Sequence, residues 1–573
     1  MKLFFLSAFW LVSASIGWSQ VNWDQMAEDI GIQPEDSSKG VAVFDFDRDG
    51  DDDIYFANSF GPNRFYVNQG NLQFDEMAEE YGLAGGDEYS LAAIWADYNN
   101  DGLVDLYVGN LNDPNQLYRN EGDGTFTEIA SELGVDDDGA VRSVMWADVN
   151  GDNYLDLYVA NMNEQNSFFI NQGGESFLDL VYYTNTTDNQ VAQGSIFFDF
   201  DNDHDLDLYL VHDAYQPFIL LENDGEGIFT DVSEGSGTDL PLMGMAVDCG
   251  DYNNDGWLDL YTTILGENRL LSNNGDGTFS DISSEAGVTA SGMAWGTHFF
   301  DFNNDRLQDL YISYDSNFSP QENVLYQNNG DSTFIQVAQD QAISSDLGGS
   351  GTAFGDFDLD GRLDVVVSNS SSSGYNEVFI NQCDAGNWIG FSLEGVWSNY
   401  CAVGARVEVH HQHGTQIDEM LAGNGFASQH TDRFHFGLGE ITEVDSIVVK
   451  WPSGVVESWT APEVNVYHHF IEGQSVMEPV EIEIETVKDE PATSTTGVLD
   501  VGSEWLEVYP NPCEDILSFH GHFNGIYQCF DLSGCLVRNG LVVKGSNTID
   551  VGSLSPGIYL LKANNKTIRF SKL

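Results

Sequence analysis

The stretch DFDRDGDDDIYF, residues 45–56, places six aspartates within nine positions and then turns apolar. Its nine-residue frame returns six more times, and the copies start 50 to 55 residues apart. The later copies are DYNNDGLVD (97–105), DVNGDNYLD (148–156), DFDNDHDLD (199–207), DYNNDGWLD (251–259), DFNNDRLQD (301–309) and DFDLDGRLD (356–364). We number these acidic loops 1 to 7, and we number the sequence repeats that contain them in the same way.

Each acidic loop lies between a short apolar stretch and an alternating one, which predicts a β-hairpin. An Asn-x-Gly-Asp-Gly turn then separates two further strand-like segments, as in NQLYRNEGDGTFTEIASELGV (115–135). Four strands in a period of about 50 residues are typical of a β-propeller blade. The sequence therefore predicts an all-β fold with a seven-bladed β-propeller.

The two ends of the repeat array predict how the ring closes. An outer-strand pattern follows six of the loops, beginning at Phe74, Phe126, Phe177, Phe229, Phe279 and Phe334. It is missing after loop 7, whereas VNWDQMAEDIGI (21–32) resembles FDEMAEEYGL (74–83). We expect the N-terminal segment to supply the last strand of the seventh blade, because this pairing removes exposed sheet edges.

Oxygen-bearing side chains recur at positions 1, 3, 5 and 9 of every loop. Such a set suits Ca²⁺, which accepts six to eight oxygen ligands at flexible geometry. The sequence predicts about seven structural calcium sites with these side-chain ligands: Asp45, Asp47, Asp49, Asp53; Asp97, Asn99, Asp101, Asp105; Asp148, Asn150, Asp152, Asp156; Asp199, Asp201, Asp203, Asp207; Asp251, Asn253, Asp255, Asp259; Asp301, Asn303, Asp305, Asp309; Asp356, Asp358, Asp360, Asp364.

Other positions of the frame refine this prediction. An EF-hand is excluded, because position 12 falls in a strand and is never the required Glu. Position 7 is expected to offer its backbone carbonyl, and Asp52 at position 8 of loop 1 is expected to be a surface charge. Position 6 favours glycine, so His204 and Arg306 rank loops 4 and 6 as weaker sites. The alternative is that the loops are solvated acidic turns without a metal.

These loops and their flanks resemble the FG-GAP or VCBS repeats of integrin α-subunit propellers over about residues 21–382. The resemblance implies a calcium-stabilised seven-bladed propeller, which we delimit as residues 20–385, and it implies no activity.

A separate β-rich domain is expected over residues 386–473. NYCAVGARVEV (399–409), GNGFASQ (423–429), HFGLG (435–439) and VVKWPSG (448–454) resemble the ASPIC/UnbV domain of the cartilage acidic protein family. Its glycines and WPSG are interpreted as turn chemistry rather than ligand contacts. VHHQHG (409–414) is either a polar hairpin tip or, as the weaker alternative, a metal site.

The chain ends predict export. Residues 1–19 are typical of a signal peptide cleaved near Ser19. Residues 474–503 have the composition of an acidic linker. Residues 504–573, with VYPNP and YQCFDLSGCLVRNG, are expected to form a small β-sandwich and resemble the C-terminal sorting domain of type IX secretion in the Bacteroidota. The resemblance implies handling by that machinery, followed by release from the cell or attachment to its surface.

Composition excludes some classes of partner. With 93 acidic and 19 basic residues, a net charge of −74 argues against nucleic acid. No stretch after the signal peptide is long and apolar enough to span a membrane. Six cysteines are few for 573 residues. Cys383 with Cys401 and Cys529 with Cys535 are the candidate disulfides, and free buried thiols are the alternative.

Two functions remain open from the sequence. The first is a secreted or surface-attached binding or adhesion protein for a glycan, matrix or protein ligand. The alternative is a calcium-dependent enzyme that degrades extracellular polysaccharide, either a lyase or a hydrolase with paired carboxylates. A uronate lyase needs a cationic cleft, and residues 21–382 contain only one Lys and seven Arg. We assign no catalytic residues, and His212 and His298 are interpreted as structural.

Overall fold

The structure is a computed structural model. It describes residues 23–32, 37–86, 88–370 and 375–474, and it describes backbone strands alone between residues 508 and 572. The chain divides into two compact units, Met1–Glu478 and Pro479–Leu573. The predicted signal peptide and nearly all of the predicted linker lie outside the described residues.

The first four repeats each form a four-stranded antiparallel sheet, and an N-terminal strand precedes them. Their strands are β1 (Trp23–Gln25); β2 (Ser38–Phe44), β3 (Asp53–Asn58), β4 (Arg64–Asn68) and β5 (Phe74–Glu76); β6 (Ser90–Ala96), β7 (Asp105–Asn110), β8 (Gln116–Asn120) and β9 (Phe126–Glu128); β10 (Val141–Ala147), β11 (Asp156–Asn161), β12 (Ser167–Asn171) and β13 (Phe177–Asp179); β14 (Ala192–Phe198), β15 (Asp207–His212), β17 (Ile219–Asn223) and β18 (Phe229–Asp231). Two further strands of two residues each, β16 (Gln216–Pro217) and β19 (Pro241–Leu242), pair antiparallel with each other beside the fourth sheet.

The last three repeats follow the same plan. Their strands are β20 (Gly244–Gly250), β21 (Asp259–Glu267), β22 (Arg269–Asn273) and β23 (Phe279–Asp281); β24 (Ser291–Phe300), β25 (Asp309–Tyr314), β26 (Val324–Asn328) and β27 (Phe334–Gln336); β28 (Gly349–Gly355), β29 (Asp364–Asn369) and β30 (Glu377–Asn381). The end of β21 also pairs with β24, which joins the sheets of repeats 5 and 6.

The N-terminal strand completes the sheet of repeat 7. Trp23, Asp24 and Gln25 of β1 pair antiparallel with β30, so the predicted ring-closing strand is confirmed. The first strands of the repeats contact one another in chain order, and the first strand of repeat 7 contacts that of repeat 1. The predicted all-β propeller is therefore confirmed, with the first strands surrounding a central channel.

Buried tyrosines tie the second strand of several repeats to the turn that follows the fourth strand. The hydroxyls of Tyr55, Tyr107 and Tyr261 donate to the carbonyls of Leu83, Val135 and Val288 at 2.8 to 2.9 Å. Single-turn helices precede these carbonyls in repeats 1, 2 and 5, and a similar helix occurs in repeat 4. The helices are α1 (Ala78–Tyr81), α2 (Ala130–Leu133), α3 (Ser233–Ser236) and α4 (Ser283–Ala286). Each helix ends at a glycine with positive φ, where a side chain would be strained.

Residues 387–474, which we call the cap, form two further sheets within the first unit. The cap strands are β31 (Asn387–Glu394), β32 (Arg406–His411), β33 (Gly414–Glu419), β34 (Ser428–Gln429), β35 (Arg433–Gly439), β36 (Ser446–Lys450), β37 (Val456–Thr460) and β38 (Tyr467–Ile471). The sheet orders are β35-β31-β38 and β33-β32-β36-β37. VHHQHG lies at the turn between β32 and β33, as expected of a hairpin tip.

The described residues of the second unit form seven strands. They are β39 (Val508–Tyr509), β40 (Ile516–Gly521), β41 (Gly525–Asp531), β42 (Leu536–Val542), β43 (Gly545–Asp550), β44 (Gly557–Ala563) and β45 (Lys566–Lys572). They form two antiparallel sheets, ordered β39-β40-β43 and β42-β41-β44-β45. The side chains of Cys529 and Cys535 lie outside the described residues, so their pairing stays a prediction.

Cys383 and Cys401 are free thiols rather than a disulfide. The Cys383 thiol donates to the carbonyl of Phe302 at 3.3 Å. The Cys401 sulfur accepts the backbone amide of Asp97 at 3.4 Å, 304 residues earlier in the chain. The proposed pairing was therefore wrong, because both thiols contact loop backbone instead of each other.

Trp23→Ala tests the ring closure. Trp23 is buried, and its ring centroid lies 6.4 Å from that of Phe302. Removing a buried Trp side chain costs about 3–5 kcal/mol, so we expect a clear drop in melting temperature in calcium-containing buffer. Asp24→Ala, an exposed change in the same strand, is the control. A Trp23→Ala protein that melts like the wild type would contradict a closing role for β1.

Candidate metal sites and the face that carries them

The first aspartate of every acidic loop organises the loop backbone. One of its carboxylate oxygens accepts the amide of position 5 at 3.0 to 3.2 Å in all seven loops. The other oxygen accepts the amide of position 6 at 2.7 to 3.1 Å. These bonds curl each loop around the carboxylate, so that alternate side chains face a common centre.

The last aspartate of every loop connects the loop to the third strand. One of its oxygens accepts the backbone amide of an asparagine at the end of that strand, at 2.7 to 2.8 Å in all seven repeats. These asparagines are Asn68, Asn120, Asn171, Asn223, Asn273, Asn328 and Asn381. Each asparagine amide also donates to the carbonyl of position 8 of its own loop.

The same asparagines connect neighbouring repeats. In six repeats, the amide donates to the carbonyl of position 2 in the loop of the preceding repeat. The bond from Asn68 to Phe357 connects repeat 1 to repeat 7 and so closes the series. Sequence analysis assigned these asparagines to turns alone, although their sevenfold recurrence was the available signal.

Two backbone positions in each loop require a left-handed conformation. Position 6 has positive φ throughout, including His204 (75°) and Arg306 (81°). Position 4 also has positive φ, which the sequence analysis did not anticipate, and it is Asn in four loops. Those asparagines donate their side-chain amides to the position-6 carbonyl of the next loop, at 2.7 to 3.2 Å. Each of these four loops is therefore hydrogen-bonded to the loop of the next repeat.

Three carboxylates converge in each of loops 1, 4 and 7, which have Asp at position 3. Carboxylate oxygens lie within 4.8 Å of one another in three sets: Asp45, Asp47, Asp53; Asp199, Asp201, Asp203; and Asp356, Asp358, Asp360. The other four loops have Asn at position 3, and that side chain accepts the amide of position 5 at 2.9 to 3.0 Å. All 28 predicted ligands thus lie in loops of the same backbone form.

Several buried carboxylate oxygens in the loops have no hydrogen-bond partner among the described residues, which bears on whether these residues suit a cation. Buried carboxylate oxygens without a partner occur at ligand positions, on Asp105, Asp201, Asp259 and Asp358. Asp51 at position 7 has one as well. A buried carboxylate oxygen without a partner is costly, and a hard cation would satisfy it through the oxygen chemistry that calcium prefers. The residues therefore fit calcium.

Burial raises the pKa of these carboxyl groups in the metal-free protein. The pKa rises to about 6 at Asp97, about 7 at Asp148, about 8 at Asp259 and about 10 at Asp207. Neighbouring carboxylates add to the effect, as Asp152 does at Asp148. Loss of solvent disfavours the charged form, and so does like charge nearby. A cation would reverse both effects.

The cap lies on the face of the propeller that carries the acidic loops. Arg433 donates to Asp45 at 2.8 Å, and the Tyr467 hydroxyl donates to Asp356 at 2.8 Å. Arg48 of loop 1 forms an ion pair with Asp432 of the cap. The cap thus contacts the first ligands of loops 1 and 7 directly.

Asp52 was wrongly predicted to be a surface charge. Its side chain is fully buried beneath the cap, where the Thr431 hydroxyl donates to it at 2.8 Å. Burial raises its pKa to about 7, although Arg433 opposes that rise. The error arose because a loop read in isolation gives no sign that a second domain will cover it.

Residues 422–431 of the cap, which we call the axial segment, enter the central channel. The Gln429 side chain pairs with both backbone groups of Trp95, at 2.7 and 3.0 Å. Strand β34 pairs parallel with β2, and the carbonyl of Ala422 accepts the amide of Trp146. The axial segment contains the GNGFASQ motif, which the sequence analysis assigned to turns alone. Its contacts with the first strands of the propeller were missed.

The two histidines that the sequence analysis interpreted as structural, His212 and His298, are both buried. His212 is buried between the carbonyl of Pro217 and the carboxylate of Asp188, at 2.6 and 3.0 Å, as expected of a structural residue. His298 is fully buried, and its ring lies 4.8 Å from that of His430 of the axial segment. Burial lowers the pKa of His298 to about 3, so this ring is neutral in the folded protein.

The fold and its loops define a class of repeat propeller with an acidic loop in each repeat. The family described as FG-GAP-like repeat matches residues 45–108, 97–159, 148–210, 199–262, 263–312 and 301–367. Together these matches extend without a gap from residue 45 to residue 367, more than half of the chain. The chain belongs to the FG-GAP-like repeat family.

Two other families match the remainder of the chain. ASPIC and UnbV matches residues 395–476, which include most of the cap. The secretion system C-terminal sorting domain matches residues 507–573. The sorting domain indicates type IX export to the cell surface or beyond it. Among the described residues, the structure contains no helix that is both long enough and apolar enough to span a membrane.

Curated relatives share part of the chain. Cartilage acidic protein 1 of Homo sapiens is 26% identical over 269 residues, which cover 42% of this chain and 40% of that protein. The Mus musculus protein is 30% identical over 198 residues, which cover 33% and 30% of the two chains. The matches therefore span less than half the length of either relative.

Solved structures with similar folds include two lectins. The BP39L lectin of Burkholderia pseudomallei is 9% identical and aligns with a TM-score of 0.42 over 62% of this chain and 98% of its own. An Agrocybe aegerita lectin is 19% identical and aligns with a TM-score of 0.34 over 56% of this chain and 80% of its own.

The raised carboxyl pKa values predict how pH affects the metal-free protein. A group whose pKa is raised by folding stabilises the folded state at low pH, and that stability is lost as pH rises through the folded pKa. Because the pKa of an unfolded Asp is about 3.9, this loss begins near pH 4; it is complete near pH 7 for Asp148 and Asp356 and near pH 8 for Asp259. The part of this window between about pH 6.5 and 8 lies above the ordinary histidine pKa of about 6.5. We expect the melting temperature in chelator to fall across it.

Calcium should reduce this pH dependence, because a bound cation keeps the carboxylates ionised. Calorimetric melting of the protein at both pH values, with chelator and with calcium, makes the comparison. A melting temperature in chelator that stays constant or rises between the two pH values would contradict the pKa assignment.

Proposed function

We propose that the chain is an extracellular glycan-binding protein whose propeller is stabilised by calcium in the seven acidic loops. One observation carries the binding proposal: the cap covers the loop face, whereas the opposite face presents exposed aromatic side chains. Export by the type IX route supports an extracellular site of action. Calcium is the structural cofactor in this proposal, and the ligand binds elsewhere.

Chain direction identifies the opposite face. Acidic loops join the first and second strands, so the connections between second and third strands lie at the other end of each antiparallel sheet. Phe60, Tyr215 and Phe318 occur in those connections in repeats 1, 4 and 6 and are 74%, 69% and 67% exposed. Large exposed apolar side chains that recur on one face indicate an interaction surface. The ring of Tyr89 packs edge-on against Phe60, with centroids 5.7 Å apart.

Aromatic side chains suit sugars because they offer a rigid apolar face at low entropic cost. The alternative glycan partner, a strongly anionic chain, would be repelled by a protein with a net charge of −74. A neutral or weakly acidic glycan is therefore the ligand that this surface suits best.

Metal analysis tests the calcium proposal. The dialysed protein should contain about seven calcium ions per chain, and chelator should lower its melting temperature. One site with free calcium at about 100-fold excess over the dissociation constant contributes about 2.7 kcal/mol.

Asp259→Asn removes a buried ligand of loop 5 and should remove one ion. Asp276→Asn, in an exposed turn of the same repeat, is the matched control. A melting temperature that does not change in chelator would contradict structural calcium.

A glycan array in calcium-containing buffer tests the binding proposal. We expect the affinity for the bound glycans to fall at least about tenfold in a protein carrying Phe60→Ser, Tyr215→Ser and Phe318→Ser. The reason is that removing an aromatic side chain at the centre of an interface can cost more than about 1 kcal/mol. The melting temperature of this variant should stay unchanged, because all three side chains are exposed. Val396→Ser with Val456→Ser, two exposed changes on the cap, is the control. The absence of bound glycans, or equal binding by the triple variant, would contradict the proposal.

A further inference from the structure

The first strand of every repeat contains a β-bulge near its beginning. The register shifts between Ser38 and Gly40 in repeat 1, and an equivalent shift occurs in the other six repeats. A bulge adds residues that the partner strand does not match, which redirects their side chains. Each acidic loop follows the end of its first strand, so the bulges lie toward the opposite face.

Side chains from two of these bulges meet across the central channel. The Lys39 ammonium of repeat 1 lies 5.6 Å from the ring centroid of Trp295 in repeat 6. Repeat 7 lies between those repeats in the ring, so the contact crosses the channel. Burial lowers the pKa of Lys39; Asp315 opposes that change, and Arg142 of repeat 3 adds to it. Arg142 lies in the corresponding bulge of repeat 3, so the two cations lie at the same end of the channel.

The axial segment forms the floor of this site. Phe426 packs against Trp295, with ring centroids 4.6 Å apart. The carbonyl of Ala427 lies against Gly40, immediately after Lys39, where an added Cβ would come within 2.3 Å of it. The channel is thus filled from the loop side, and the bulge residues face the end that the cap leaves uncovered.

Four polar side-chain atoms of the bulge residues have no hydrogen-bond partner among the described residues. They are the Arg142 Nε, the Trp295 Nε1, the Gln193 Oε1 and the Ser350 Oγ. Gln193 and Ser350 are only 4% and 0% exposed, so the cost of leaving their polar atoms unpaired is large. The Arg142 Nη2 contacts the Met162 sulfur at 3.1 Å, a weak acceptor for a guanidinium.

We propose that this end of the channel binds an acidic sugar through one carboxylate and its neighbouring hydroxyls. The inference rests on the proposed glycan-binding function and assigns that function a site. Two cations and an indole N–H suit the carboxylate, whereas Gln193 Oε1 is an acceptor for a sugar hydroxyl.

The surroundings limit the ligand to a single acidic group. Residues 21–382 contain eight Lys and Arg residues in all, and two of them, Lys39 and Arg142, lie in bulges at this end of the channel. Asp213 and Asp315 lie close enough to act on Arg142 and Lys39, respectively. A second carboxylate on the ligand would meet these aspartates. The site therefore suits a uronate on an otherwise neutral glycan.

Ligand-observed NMR titration of the full-length, calcium-loaded protein with free glucuronate tests the inference, and glucose serves as the neutral probe. We expect glucuronate to bind at least about tenfold more tightly than glucose, because charge-assisted hydrogen bonds exceed neutral ones in strength. Arg142→Gln and Lys39→Gln should each weaken glucuronate binding by about tenfold or more. Arg119→Gln, which removes an exposed arginine that pairs with Glu121, is the matched control.

The outcomes separate this inference from the proposed function. Equal affinity for glucuronate and glucose, or unchanged binding by Arg142→Gln, would overturn the channel site even if the array finds neutral glycans. Melting curves establish whether each variant folds. If Arg142→Gln does not fold, Gln193→Glu provides the second test, because its added carboxylate should repel glucuronate and leave glucose binding unchanged.

Discussion

The buried aspartate that ends each acidic loop is the constraint on which the propeller depends. It fixes the third strand through an asparagine amide, and the same asparagine connects to the preceding repeat in six of the seven repeats. This arrangement places charge inside the fold, where burial and neighbouring carboxylates disfavour ionisation. The geometry that connects the sheets is therefore also the geometry that a bound cation would stabilise.

The cap extends this dependence to a second domain. Arg433 and Tyr467 contact the first ligand of loops 1 and 7, and the axial segment makes backbone hydrogen bonds inside the channel. The loops thus offer oxygen atoms that suit calcium and also form part of the interface with the cap.

Sequence alone predicted the features that depend on local periodicity. The acidic hairpins, the four strands of each repeat and the pairing of Trp23–Gln25 with β30 followed from patterns that recur along the chain. The burial of Asp52, the free thiols of Cys383 and Cys401, and the contact of Lys39 with Trp295 did not. Each of these depends on residues that are distant in sequence, and no spacing rule in a single chain indicates which distant segments will meet.

Two segments from opposite ends of the first unit complete neighbouring sheets. Strand β1 joins repeat 7, and β34, about 400 residues later in the chain, joins repeat 1. Contacts between such distant segments slow folding, because a long loop must close before they form. The sheet of repeat 7 can be completed once residue 381 has been synthesised, whereas β2 gains β34 only after residue 429. Most of the first unit must therefore be synthesised before both sheets are complete.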